Sequence, residues 1–169
     1  NGNKPITSLS FTKEFNEGLQ FDLLFFDDGT VVHLICMCIK WAQAIFVDGK
    51  EPDHVLPAMV HIWFRVYGPP KFIVSDQEGA LFSDEGGVWA ERWKIALKPK
   101  PRGAHAHVIE RRNEMLRQQY HRTRGQAREE GIKISKQELL DESTLAMNCM
   151  TSVHGSTPYA ALFGRVPNL

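Results

Sequence analysis

Apolar and polar positions change period several times along the chain, and each change marks an element. Residues 19 to 26 (LQFDLLFF) are nearly all bulky and apolar, as in a strand covered on both faces. Asp27, Asp28 and Gly29 follow, residues of the kind that close tight hairpins, and Thr30 to Ile39 (TVVHLICMCI) reads as the returning strand. A third strand is predicted over Ala42 to Val47. Beyond Pro52 the period lengthens: Val55, Leu56, Met59, Val60, Trp63, Phe64 and Tyr67 share one helical stripe that stops at Gly68. A fourth strand, Lys71 to Ser75, follows the pair Pro69 and Pro70. Next come a tryptophan-bearing helix from about Gly87 to Ala96 and a short basic strand from Leu97 to Lys100. Gly103 opens a loop, a long helix runs from about His105 to Arg124, and a last one from Ser135 to Val153.

Three consecutive strands with short connections make an antiparallel meander, and strands interleaved with helices after it indicate a sheet covered on both faces. The predicted class is α/β: a mixed five-stranded sheet, the meander plus two further strands, flanked by helices. With 169 residues, 43% of them hydrophobic and 24% charged, the chain has the size and balance of one globular domain, expected over residues 1–169. No apolar run approaches the roughly 20 residues that cross a bilayer. Cys36, Cys38 and Cys149 are an odd number in apolar stretches, which predicts reduced thiols rather than a disulfide framework. A secretory leader is not evident, so an intracellular compartment is the expectation. The chain opens at Asn1 without a methionine, as a domain cut out of a longer polypeptide would, although a tag scar would look similar.

Charge sharpens the picture through its distribution, because the formal net charge is zero. Between Arg92 and Arg128 stand eleven Lys and Arg against two acids, Glu110 and Glu114. Such a local excess invites a polyanion, although a solvated helix face would carry the same residues.

Three carboxylates sit where packing alone gives them little reason to be. Asp22 lies in mid-strand on the face of Gln20, Leu24 and Phe26; burying it unpaired would cost several kcal/mol, so it needs a partner. Asp76 ends the fourth strand just before Gly79, at the carboxyl end where open α/β sheets place ligands; a turn aspartate would look alike. Glu110 lies near the start of the most basic helix, where an acid also complements the helix dipole. Brought to one sheet edge, the three would repel one another unless cations lay between them. Hard oxygen ligands of this kind suit Mg²⁺ or Mn²⁺, and two such ions about 4 Å apart serve phosphoryl transfer.

The order FDLLFF with Asp22, GPPKFIVSDQEG with Asp76 and HVIERRNEMLR with Glu110 resembles the catalytic core of retroviral and retrotransposon integrases. The closing TPYAALFGRVPNL looks like the segment that often follows that core in retrotransposon polyproteins. The resemblance implies an RNase H-like fold, with Asp22, Asp76 and Glu110 as a D,D,E triad that holds two Mg²⁺ (or Mn²⁺) ions. It also implies insertion of element DNA into host chromosomal DNA, in the nucleus, by 3′-end processing and strand transfer. Partners would be the element ends, target DNA and further copies of the chain, as a homodimer or higher oligomer. Asn113 and Arg117, three and seven residues after the glutamate, share its helix face, which family members use to touch DNA. Arg111, Arg112, Lys98, Lys100 and Arg102 are the basic neighbours expected to grip phosphates.

The departures are specific. Thirty-three residues separate Asp76 from Glu110, slightly fewer than in the retroviral pattern, and Glu78 with Gly79 replaces a single glycine, which makes Glu78 a rival ligand. Glu114 is an acid where basic residues are frequent, and His105 and His107 flank the start of the catalytic helix. Neither the zinc-binding module that precedes integrase cores nor a C-terminal DNA-binding domain is evident, so full integration by this segment alone is expected to be defective. Two other readings share the triad: a decayed or domesticated core that binds DNA or protein without chemistry, and another RNase H-like nuclease or transposase.

Overall fold

Strand β1 (Gly18–Phe26) runs through the middle of the sheet, and the rest of the chain is arranged around it. The computed structural model describes residues 12–101, 104–150 and 155–168, with the backbone alone over 104–109. A two-residue turn at Asp27 and Asp28 leads into β2 (Gly29–Cys36), antiparallel to β1 with Phe26 opposite Gly29 and Asp22 opposite His33. β3 (Ala42–Val47) pairs antiparallel with β2 and completes the predicted meander. The second strand stops at Cys36, three residues before its expected end. Lys40 adopts a left-handed conformation (φ 63°) and its N–H donates to the Cys36 carbonyl (2.8 Å), turning residues 37–40 into the hairpin loop.

On the other side of β1, β4 (Phe72–Ser75) and β5 (Ala96–Pro99) add in parallel, giving the order β3-β2-β1-β4-β5. Parallel neighbours require crossovers, and both are helical. The first comprises α1 (Pro52–Met59), one π-helical turn (Val60–Phe64) and α2 (Arg65–Tyr67), ended by Gly68 at φ 83°. Asn16 ties that end to the sheet: its amide donates to the carbonyls of Tyr67 and Gly68 and accepts from the Trp63 indole (2.8 Å). The second crossover is α3 (Asp84–Trp93), which starts three residues earlier than the apolar pattern shows because Ser83 caps it.

The two sheet faces bury separate cores. Leu19, Phe21, Val32 and Leu34 pack beneath Val55, Met59, Trp63, Phe64, Leu81 and Ala90. Leu24, Val31, Ile35 and Ala44 pack beneath α4 (Ala104–Glu129) and α5 (Lys136–Met150) through Leu116, Tyr120, Leu139, Leu140 and Met147. The α4 helix continues five residues past its expected end. It takes Gly125 into its interior, at a cost of about 1 kcal/mol, while Ala127 gains burial and Gly131 (φ 67°) makes the stop. Val153, expected to share the face of α5, and Gly103 lie outside the described residues. A short α6 (Pro158–Phe163), capped by Thr157, lays Tyr159 and Phe163 on Trp41.

Side chains from α5 occupy part of the free edge of β3. Asn148 accepts from the Ala42 N–H and donates to its carbonyl, both at 2.9 Å, and Gln137 accepts from the Phe46 N–H at 2.9 Å. At the hairpin tip Asp28 accepts from the Tyr120 hydroxyl and the Arg124 guanidinium (3.0 Å). The Tyr120 hydrogen bond is the main reason the Asp28 carboxyl lies below its usual range. This anchor fixes how α4 lies on the sheet. No helix among the described residues is long and apolar enough to cross a membrane.

Gly86, near the start of α3, leaves no room for a side chain: a Cβ there would come within 3.0 Å of the Ala80 and Leu81 backbone, whereas one on Gly87 meets nothing within 4 Å. Gly86→Ala should therefore destabilise the chain by about 1–3 kcal/mol and Gly87→Ala stabilise it by about 0.5–1 kcal/mol. Urea midpoints of the two variants check this, and equal shifts would refute the packing.

Candidate active site

Strand register brings the first two predicted acids together. Gln20 of β1 pairs with Val74 of β4, so Asp22 and Asp76, each two residues further along parallel strands, stand level at the carboxyl edge. Asp22 is buried in the sheet at 6% exposure, while Asp76 has just left β4 and is 72% exposed. The chain turns away at once, with the Gly79 N–H donating to the Asp76 carbonyl (3.2 Å). Glu110 comes from the exposed side of α4, and all three acids line one cleft of about 950 Å³. Glu78 lines the same cleft and stays a rival to them.

The buried Asp22 is fully compensated. Its Oδ1 forms an ion pair with the Lys100 ammonium, which also lies 3.8 Å from Asp76 Oδ1. Its Oδ2 accepts from the side-chain amides of Gln20 (3.2 Å) and Asn113 (3.1 Å). Hydrogen bonds of this kind are what make a desolvated carboxylate tolerable. Asn113 in turn meets His33, its Oδ1 lying 2.8 Å from the ring Nδ1. With the Asn113 amide committed to Asp22, its oxygen must accept, so His33 Nδ1 carries the proton. His33 is fully buried, and burial pushes its pKa down to about 4, so the ring is neutral at pH 7. Its Nε2 is buried without a hydrogen-bond partner. Three side chains, Gln20 directly and His33 through Asn113, thus fix the carboxylate from behind.

This arrangement revises several expected DNA contacts. Asn113 points into the sheet at Asp22 and His33 rather than out to solvent. Arg112 is buried at 6% exposure, on the stripe of α4 that also buries Leu116 and Tyr120, and its guanidinium donates to the Lys40 carbonyl (3.5 Å). Desolvation brings its pKa down to about 10 and lowers that of Lys40 as well. Lys100 is engaged by the two aspartates, and Lys98 places its ammonium 3.9 Å from the Phe72 ring centroid, outside the cleft lining. Arg111 is exposed and Arg117 half-buried. Arg102 and the side chains of His105 and His107 lie outside the described residues.

Sequence reasoning missed Gln20 as a partner of Asp22 and His33 as the residue behind Asn113, although for His33 the hairpin contains the signal: closing it through Asp27 and Asp28 puts residue 22 opposite residue 33. Among the described residues no three acidic, histidine or cysteine side chains form a ready-made ion cage. Two carboxylates nonetheless converge on one cationic atom, Lys100 Nζ, and a third acid lines the same cleft. The oxygen-only donor set fits a hard divalent ion.

Because the imidazole sits at about 4 when folded and near its ordinary 6.5 when unfolded, unfolding takes up a proton as the pH falls between those values. The stability it contributes is complete above pH 6.5 and is lost toward pH 4. Between about pH 7.5 and pH 5 the loss should be roughly 2 kcal/mol, absent in His33→Gln. Urea denaturation of both chains at the two pH values checks the difference; parallel losses would mean that the ring is not held neutral.

No protein-family model matches the sequence, and no curated protein matches it. Solved structures do match. The catalytic core domain of BIV integrase superposes with a TM-score of 0.72 at 13% identity, covering 86% of this chain and 93% of that one. The HTLV-2 integrase catalytic core domain in complex with magnesium matches in its dimeric form with a TM-score of 0.70 at 12% identity, covering 86% and 94%. Its trimeric form gives 0.69 at 12% identity over 85% and 94%. The central five-stranded mixed sheet with helices on both faces is therefore the RNase H-like fold of retroviral integrase catalytic cores.

Proposed function

We propose that this chain is a divalent-metal-dependent polynucleotidyl transferase that inserts retroelement DNA into chromosomal DNA in the nucleus, by 3′-end processing and strand transfer. One observation carries the reading. Acids from three separate elements, Asp22, Asp76 and Glu110, open on one cleft in a sheet that has the integrase-core topology, and two of them already share a cation. When bound, two Mg²⁺ or Mn²⁺ ions would supply the activation of the attacking oxygen and the stabilisation of the leaving one. Asp22, Asp76 and Glu110 would hold them.

The rest of the work falls to the chain itself. Gln20 and Asn113 hold the Asp22 carboxylate in place by donating to one of its oxygens, which leaves the other for the cleft. The neutral His33 holds the Asn113 amide in the orientation that donates. Of the basic residues on α4, the exposed Arg111 beside Glu110 would meet phosphates near the cleft, and the half-buried Arg117, whose Nε is buried without a hydrogen-bond partner, is the second candidate. Self-association completes the reading, since the HTLV-2 core has been solved in dimeric and trimeric forms.

Asp76 is 72% exposed, so its replacement by asparagine removes a charge without disturbing the core. Asp76→Asn should cut Mn²⁺-dependent joining of a 3′-hydroxyl duplex oligonucleotide to supercoiled plasmid by about 10³-fold or more, while duplex binding in EDTA changes less than about threefold. Joining by the variant at the wild-type rate would remove Asp76 from the chemistry. A wild-type chain that binds duplex but joins nothing would favour a core that has lost catalysis.

A further inference from the structure

Lys100 lines the cleft as a cation among its acids, a position the proposed chemistry does not by itself explain. Register accounts for how it gets there. Val74 of β4 pairs with Lys98 of β5 and Ser75 with Pro99, so Asp76 and Lys100 stand level two residues further on, in the same row as Asp22. The Lys100 N–H donates to the Ser75 carbonyl (2.9 Å), and Pro99 and Pro101 restrict the backbone on either side. From that fixed root the side chain reaches past the exposed Asp76 to the buried Asp22, and it is half-buried in doing so. Its sister Lys98 lies on an aromatic ring, so a lysine on this strand has another place to rest.

We propose that Lys100 is a resident counter-ion, a positioning residue that occupies the Asp22–Asp76 seat in the metal-free chain and is displaced when a divalent ion enters. The inference rests on the metal seat proposed above. An ammonium is a compact point charge on a flexible stem with no demand for octahedral geometry, so it neutralises the two carboxylates without their having to adopt the final ligand arrangement. A divalent ion and the ammonium cannot share that seat, because at about 4 Å their repulsion is large even in a partly solvated cleft. Two consequences follow. Asp22 never faces Asp76 uncompensated before loading, and metal binding must overcome the ion pair, which sets a threshold concentration and releases an ammonium on the cleft wall.

The test compares wild type with Lys100→Gln and follows Lys100 in the wild type directly. In the variant, Mn²⁺ measured by isothermal titration calorimetry should bind about tenfold tighter, and the melting temperature should fall in EDTA but recover in saturating Mn²⁺. In the wild type, acylation of Lys100 by an amine-reactive reagent, read by mass spectrometry, should accelerate severalfold on adding Mn²⁺, with Lys98 unchanged as the internal control. Unaltered or weaker Mn²⁺ binding by the variant, equal destabilisation with and without Mn²⁺, or Lys100 reactivity indifferent to Mn²⁺ would each overturn the displacement and leave the metal seat standing. Absence of Mn²⁺ binding in both chains would overturn the seat together with its occupant.

Discussion

Asp22 is a charged group near the middle of the central strand, and much of the local architecture can be understood as its compensation. A carboxylate at 6% exposure is tolerable only where hydrogen bonds and a counter-charge replace water. Here its own strand, the residue just after β5 and α4 each contribute one group: Gln20, Lys100 and Asn113. Because those groups come from elements distant in sequence, the charge also fixes how the elements meet. The α4 helix is held at one point by Asn113 against Asp22 and His33 and at another by Tyr120 and Arg124 against Asp28. Glu110 rides on a helix whose roll is thereby fixed.

Such a network explains why α4 uses its polar residues unevenly. Along one helix the stripe of Arg112, Leu116 and Tyr120 is buried, Asn113 is committed to the sheet, and Arg111 and Glu114 face solvent. Counting eleven positive charges between Arg92 and Arg128 identifies a basic region but not which of its members are accessible. Burial withdraws Arg112, and the aspartates withdraw Lys100.

How much of this was legible in the sequence depends on whether a feature is local or relational. The strands, the meander and most helix starts follow from period and turn chemistry. The departures arise where a tertiary contact overrides the local signal, as in the loop closed by left-handed Lys40 and the glycine absorbed into α4 beside the buried Ala127; α6, capped by Thr157 and stopped at Gly164, carried local signals of its own that went unread. For the site, the need for a partner at Asp22 could be argued from burial alone. Its identity could not, because Asn113 lies 91 residues away and reaches Asp22 only through the roll of α4. His33 was the more readable omission, since a two-residue hairpin turn fixes its register opposite Asp22.

The clamp that α5 places on β3 bears on how copies of this chain can assemble. Asn148 and Gln137 consume main-chain groups of Ala42 and Phe46 that would otherwise template another strand, and at the opposite margin β5 ends in a proline. With both borders of the sheet blunted, continuous β-augmentation between molecules is disfavoured. Contacts between copies of this chain are thereby directed to its helical surfaces rather than to its strand edges.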